Sequence, residues 1–407
     1  MGNFRARLLI RSRLLRRATT TATATGLLAS GLVGAGPALA DYQPTPYIDG
    51  VPYVGSEMRR QYNYDYWGCR YPDGSSDGIT LEWLRDGETL PQERQGETLK
   101  VLPEDQGSRI SLRVHPLTPG EPGCPTGTQL SAETAPIKAS NRAMGWTGRG
   151  NFEPLARTAD GRLILYPRTY TYYKGACEGP CPAYWGTWDE PRQVGAGWNM
   201  FNIVFSPGDF DGDGFNDLLA RNSAGQLFLY PGDGDGGWLP ARQVGAGWNI
   251  FDSIVGPGDF NGDGHNDVLA RNPAGDLFLY PGDGEGGWLA PGKVGWGWQV
   301  MNKIITSGDM NGDGTVEIFG RDHSGGLQLY PTDGQGGWGV PAFMGSGWNT
   351  FRDVSGLGSF AHQKYNNLVA INQNGDLVLY STGAATTGLY GPYGPVGNGW
   401  DVFRELL

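Results

Sequence analysis

A run of nine residues, Asp209-Phe-Asp211-Gly-Asp213-Gly-Phe-Asn-Asp217, recurs fifty residues later as Asp259-Phe-Asn261-Gly-Asp263-Gly-His-Asn-Asp267. It recurs again as Asp309-Met-Asn311-Gly-Asp313-Gly-Thr-Val-Glu317. Each copy sets oxygen donors at positions 1, 3, 5 and 9. Glycines at positions 4 and 6 allow a turn tight enough to gather them. An all-oxygen cage of flexible carboxylates suits a hard divalent cation. Calcium fits better than magnesium, which keeps much of its own water. The carbonyl at position 7 (Phe215, His265 or Thr315) can add a backbone oxygen. Position 12, where an EF-hand carries a bidentate acid, holds Ala220, Ala270 and Gly320, and the residues that follow are β-like rather than helical.

A second periodic set is aromatic. Trp198, Trp248, Trp298, Trp348 and Trp400 each follow a glycine pair and precede an amide or acid, and their spacing suits packing between repeated units. Trp238, Trp288 and Trp338 follow Gly-Gly in glycine-rich loops and are expected to be more exposed. An indole face beside amides is a means of holding a sugar ring, so these three are the candidate ligand contacts. Arg157, Arg221, Arg271 and Arg321 form a third series, expected to bridge or stack within units, with Ile371 in the fifth place.

The elements that must position these residues are legible in segment 250–299. A β-rich stretch to Val255 leads into the acidic loop. Strands follow at Val268–Arg271 and Leu277–Tyr280, and a short one ends at Val294, with tight glycine turns between them. Four strands in fifty residues make one propeller blade. Tyr166, Tyr230, Tyr280, Tyr330 and Tyr380 mark five units. The first lacks the acidic loop and carries an insertion around Cys177 and Cys181, and the fifth has Ser359-Phe-Ala361-His-Gln363 in place of the acids. The closing Trp400-Asp-Val-Phe-Arg-Glu-Leu-Leu407 matches the opening strand of a unit. It is expected to complete the first blade and remove the free sheet edges, giving a closed ring.

The Gly-Asp-Phe-(Asp/Asn)-Gly-Asp-Gly-x-x-Asp loops followed by Leu-Leu-Ala-Arg resemble the FG-GAP/VCBS repeats of secreted bacterial proteins, integrin α-subunit propellers and some fungal lectins. The resemblance spans about residues 143–407 and implies a β-propeller with calcium held on hairpin loops. Many members of that group close with seven blades, whereas five short blades look more like the tachylectin type.

Residues 41–140 lack the repeat. A strand centred on Trp83 with a turn at Asp86-Gly87, and an acidic turn at Asp105–Gly107 before the alternating Ile110–Val114, resemble the immunoglobulin-like modules of secreted actinobacterial proteins. In that resemblance the core disulfide positions are Arg60 and Leu112. Cys69 and Cys124 fall instead in the loops that follow, so a bridge between them is expected to clip two loops at one end. Cys177 and Cys181 form the other expected disulfide, and no cysteine has zinc-ligand spacing.

The first 40 residues hold six arginines (Arg5, Arg7, Arg11, Arg13, Arg16, Arg17), no acid, a mildly apolar stretch and Ala38-Leu-Ala40. They read as a signal peptide cleaved before Asp41, with either twin-arginine or general export, and the apolar core is too short and too polar for a membrane anchor. Removing them leaves 31 − 6 = 25 basic against 42 acidic residues, a net charge of −17. Nucleic acid and anionic lipid are poor partners for such a chain, and no other segment is apolar enough for membrane insertion.

The expected architecture is all-β: signal peptide 1–40, an immunoglobulin-like β-sandwich at 41–140, and a five-bladed β-propeller at 141–407. None of the four histidines shares a motif with a nucleophile, and repetition favours display of binding sites over a single catalytic cluster. The function expected is that of a secreted, extracellular, calcium-binding, non-enzymatic module recognising glycans, cell-surface polymers or an extracellular protein. An extracellular propeller hydrolase or lyase acting on polysaccharide, or a structural component of an extracellular assembly, is the alternative.

Overall fold

Alternation along Leu277-Phe-Leu-Tyr280 buries both leucines and leaves Phe278 and Tyr280 half-buried. The preceding Asp267–Arg271 is buried at every position. Near-continuous apolar strands of this kind need cover on both faces, and here the neighbouring sheets supply it. A computed structural model describes residues 45–61, 69, 78–121, 124–172, 184–311, 313–358, 366–382 and 389–407. The signal peptide, the Cys177–Cys181 pair and the altered fifth loop at 359–365 lie outside the described residues. Among those described, no helix is long and apolar enough to cross a membrane.

Gln43–Leu407 is one compact unit. Its repeat region holds five four-stranded antiparallel sheets. The second sheet runs Phe201–Gly208, Asp217–Asn222, Leu227–Tyr230, Arg242–Gly245. The third and fourth repeat that order. The first sheet is assembled from both ends of the region. Leu155–Thr158, Leu163–Leu165 and Arg192–Gly195 supply three strands, and Phe403–Leu406 adds the fourth, with Phe403 opposite Thr158 and Leu406 opposite Ala156.

Apolar cores fill the junctions between successive sheets. Leu155 and Leu163 of the first pack with Trp198 and Leu218 of the second, and cores of the same kind join second to third, third to fourth and fourth to fifth. The last joins Val369 and Leu377 of the fifth sheet to Ala156, Phe403 and Leu406 of the first. The fold is therefore propeller-like. The arginine series bridges within its own units, Arg271 to Asp252 at 2.8 Å and Arg157 to Glu405, and also staples these junctions. Arg221 donates to the Trp248 and Phe251 carbonyls of the next sheet at 2.8 and 2.5 Å. Arg271 does the same to Trp298 and Met301, and Arg157 to Trp198 and Phe201.

The N-terminal part has its own core around Trp83, which is fully buried. One sheet contains Tyr47–Asp49, Glu57–Gln61 and Thr98–Lys100, and the other is centred on Ile79–Arg85 and Ile110–Pro116. Burial acts to raise the Asp105 carboxyl, yet Arg94 at 2.6 Å, the Leu102 amide and Arg85 hold it below the usual range. Cys69 and Cys124 are joined as a disulfide. The bridge links the segments after Glu57–Gln61 and Ile110–Pro116, and both cysteines are buried in the Trp83 core.

Candidate metal centre and aromatic clefts

Each acidic loop connects the first strand of its sheet to the second, and its carboxylates first serve to fold it. In the loop at 209–217, Asp209 accepts the Gly212 and Gly214 amides at 2.7 and 3.0 Å. Asp217 accepts Phe210 at 2.8 Å and Gly232 at 2.9 Å. The loop at 259–267 repeats this through Asp259 to Gly262 and Gly264, and through Asp267 to Phe260 and Gly282. At 309–317 Asp309 accepts Gly314. Glu317, one methylene longer than the aspartate it replaces, still reaches the Met310 amide at 2.6 Å.

Asp209, Asp211 and Asp217 converge, with one oxygen from each within 4.8 Å of the others. Oδ1 of Asp211 is buried and has no hydrogen-bond partner. Three convergent carboxylates, one with an unused buried oxygen, can hold a metal ion, and their hardness suits calcium-like cations. Position 5 also serves its own loop. Asp213 lies outside this trio and turns back on its own loop, accepting the Phe215 amide at 2.9 Å. Asp263 and Asp313 do the same to His265 and Thr315. Position 3 of the later loops is an amide. The oxygen of Asn261 accepts the Asp263 amide and that of Asn311 accepts the Asp313 amide.

Burial, and after it the nearby carboxylates, raise several of these acids against the pull of the loop amides. Asp209 and Asp267 are pushed up to about 7 and Glu317 to about 8. Asp217 lies well above its ordinary value, mainly from burial and the Asp211 charge. Asp313 goes the other way. Burial opposes, but the Thr315 hydroxyl and amide hold it down.

Trp198, Trp248, Trp298, Trp348 and Trp400 are buried between sheets, each against a tyrosine at 4.5–4.7 Å. Trp238, Trp288 and Trp338 are half-buried, less enclosed than that junction set. Their indole N–H groups donate to the Val194, Val244 and Val294 carbonyls of the preceding sheet at 3.0, 2.8 and 2.7 Å. The physical reason is the loop's own turn. Asp233 accepts the Asp235 and Gly237 amides, folding the loop flat so that the indole reaches across the junction.

Trp188 belongs to the same set, donating to Val396 at 2.9 Å. It stands fifty residues before Trp238, so the spacing marks it, but Gly-Thr rather than Gly-Gly precedes it. It walls a cleft of about 490 Å³ between the fifth and first sheets, lined also by Tyr166, Trp400, Asp189, Asp376 and Asn398. Asn216 and Asn266, at loop position 8, also went unremarked. They donate to the backbone of the segment that leads into the repeats: Asn216 to Asn141 and Gly145, Asn266 to Ser140.

Residues 209–270 and 259–320 match the FG-GAP-like repeat family. No curated protein sequence matches the chain. Among solved structures, the BP39L lectin from Burkholderia pseudomallei is 12% identical, with a TM-score of 0.37 over 86% of this chain and 95% of that one. A lectin from Agrocybe aegerita that recognises non-reducing terminal N-acetylglucosamine is 13% identical, with a TM-score of 0.37 over 88% and 91%. The rhamnogalacturonan lyase PL11 of Bacillus licheniformis is 11% identical, with a TM-score of 0.27 over 86% and 69%. The chain thus carries FG-GAP-like repeats across residues 209–320, set within an all-β fold of four-stranded antiparallel sheets.

Proposed function

We propose that the protein is a secreted, calcium-binding, non-enzymatic module that recognises glycans or cell-surface polymers. In this reading its five sheets are the blades of a closed five-bladed propeller, and an immunoglobulin-like sandwich precedes them. The cleft between the fifth and first sheets carries the glycan assignment. At about 490 Å³ it has the volume of a small-ligand site. Tyr166, Trp188 and Trp400 line it together with Asp189, Asp376 and Asn398. Apolar ring faces beside acceptor-rich side chains suit a sugar, which offers C–H faces and hydroxyl donors together.

Trp238, Trp288 and Trp338 bridge the other junctions by the same indole-to-carbonyl bond, so one sheet-to-sheet design can serve several copies of a repeating ligand. Calcium would be held by Asp209, Asp211 and Asp217, and in the other loops by Asp259, Asn261, Asp263 and Asp267, and by Asp309, Asn311, Asp313 and Glu317. Its role is to neutralise and stiffen the loops. Secretion accords with the Cys69–Cys124 disulfide.

The test is a glycan and cell-wall polymer array in calcium and in chelator, with wild type and Trp188→Ala. Binding to one sugar class that weakens about tenfold in Trp188→Ala, at unchanged folding, is expected. Binding that ignores this substitution, or no glycan binding at all, rejects the assignment.

A further inference from the structure

The three acidic loops do more than face solvent, because the N-terminal part of the chain rests on them. The contact falls at loop position 6 in every copy. At Gly214 the backbone packs so closely beneath Pro103 and Val54 that a Cβ there would lie 2.7 Å from the proline ring. At Gly264 the carbonyl accepts the Gln106 side-chain amide at 2.9 Å. At Gly314 the carbonyl accepts the Lys138 ammonium at 2.6 Å. The same ammonium lies 3.7 Å from Asp259 of the middle loop. Tyr53, paired with Lys138 across an isolated bridge, completes this floor. Burial and then the Asp309, Asp259 and Glu317 carboxylates push its phenol well above the ordinary value.

Each of these position-6 glycines is held by its own loop, and two of them by the N-terminal part as well. Its N–H donates to the first carboxylate of its own loop: Gly214 to Asp209, Gly264 to Asp259 and Gly314 to Asp309. In two of the loops its carbonyl is held by the N-terminal part. All three glycines take left-handed backbone angles, with φ of 93°, 91° and 89°. The first carboxylate is also a candidate cation ligand, so any shift it makes on loading is transmitted through one glycine residue, from its N–H to its carbonyl, to the docked surface.

We infer that the position-6 peptides of the cation loops form the docking floor for the N-terminal module, and that cation loading and docking are coupled. This rests on the calcium reading given above. Coupling free energy is reciprocal, so a cation that tightens docking is itself held more tightly by the docked module. Gln106 is the cleanest probe, being uncharged and touching the loops through one hydrogen bond.

The experiment uses the full chain. Calcium affinity is measured by calorimetric titration for wild type and Gln106→Ala, and amide exchange across residues 52–56, 102–107 and 136–140 is compared in calcium and in chelator. The expected results are slower exchange of those segments in calcium and about two- to tenfold weaker calcium affinity at one site in Gln106→Ala. Calcium that binds wild type and leaves exchange in those segments unchanged overturns the coupling while sparing the calcium reading. Absence of any calcium binding to wild type overturns both. Should Gln106→Ala fail to fold, the exchange difference in wild type decides alone.

Discussion

Stripping divalent cations should make the protein progressively less stable as pH rises from about 5.5 to about 8.5, and calcium should abolish that decline. Asp209 and Asp267 are raised to about 7 and Glu317 to about 8, chiefly by burial and then by neighbouring carboxylates acting against the loop amides. A carboxyl raised in the folded state binds its proton more tightly there than in the unfolded chain. Its contribution to stability is complete below the unfolded value near 4 and is lost as pH climbs through 7 to 8. A rise of about three units is worth ~4 kcal/mol, of which ~2 kcal/mol per loop falls between about pH 5.5 and 8.5. For a chain of this size that is about 2–3 °C of melting temperature per loop. Bound calcium replaces those protons with fixed positive charge, so the gap between calcium and chelator should widen with pH. Tryptophan-fluorescence melts in both conditions at several pH values measure it. A melting temperature in chelator that holds level or rises across the window would refute the claim that these acids are forced together without compensation.

Asp211→Ala removes the carboxylate that carries the unpartnered buried oxygen and should erase the stabilisation due to that site, about 2.7 kcal/mol at a hundredfold excess of calcium over its Kd, while leaving the melt in chelator unchanged or higher. Deleting residues 403–407 strips the buried Phe403, Leu406 and Leu407 from two junction cores, at about 1.5–3 kcal/mol each, and bares the edge of Leu155–Thr158. The truncated chain should be aggregated or unfolded by circular dichroism and light scattering, while Phe403→Ala alone should fold with stability reduced by about 3–5 kcal/mol. Reducing the Cys69–Cys124 bond, whose partners lie 55 residues apart, should cost about 4 kcal/mol in denaturant titrations, with the loss confined to the N-terminal module.

Strand positions and loop acids were legible because a fifty-residue repeat states each of them three times, and the closing strand was legible because Trp400–Leu407 copies an opening strand. What repetition could not state is where a side chain turns once neighbours are in place. Trp238 looked exposed by composition, but a carbonyl on the previous sheet captures its indole N–H. Arg221 keeps a partner in its own unit, Asn202, but its guanidinium also reaches the Trp248 and Phe251 carbonyls of the next sheet, which no spacing announces. Position 5 likewise has a local partner, since an aspartate two residues before an amide can accept its N–H. Lys138 and Gln106 belong to no repeat, so nothing in the chain's periodicity marks them as the residues that meet the loops.

The pairing of Phe403–Leu406 with Leu155–Thr158 also imposes a schedule. Until those last residues emerge, the first sheet has three strands and the cores on either side of it are incomplete, whereas the second, third and fourth sheets can form from contiguous segments. Closing so long a stretch costs chain entropy that local hairpins never meet, and contacts of this range slow folding. The nascent protein should therefore dwell as a string of partly built sheets with one open edge, vulnerable to proteases and to pairing with another copy, and become resistant in one late step.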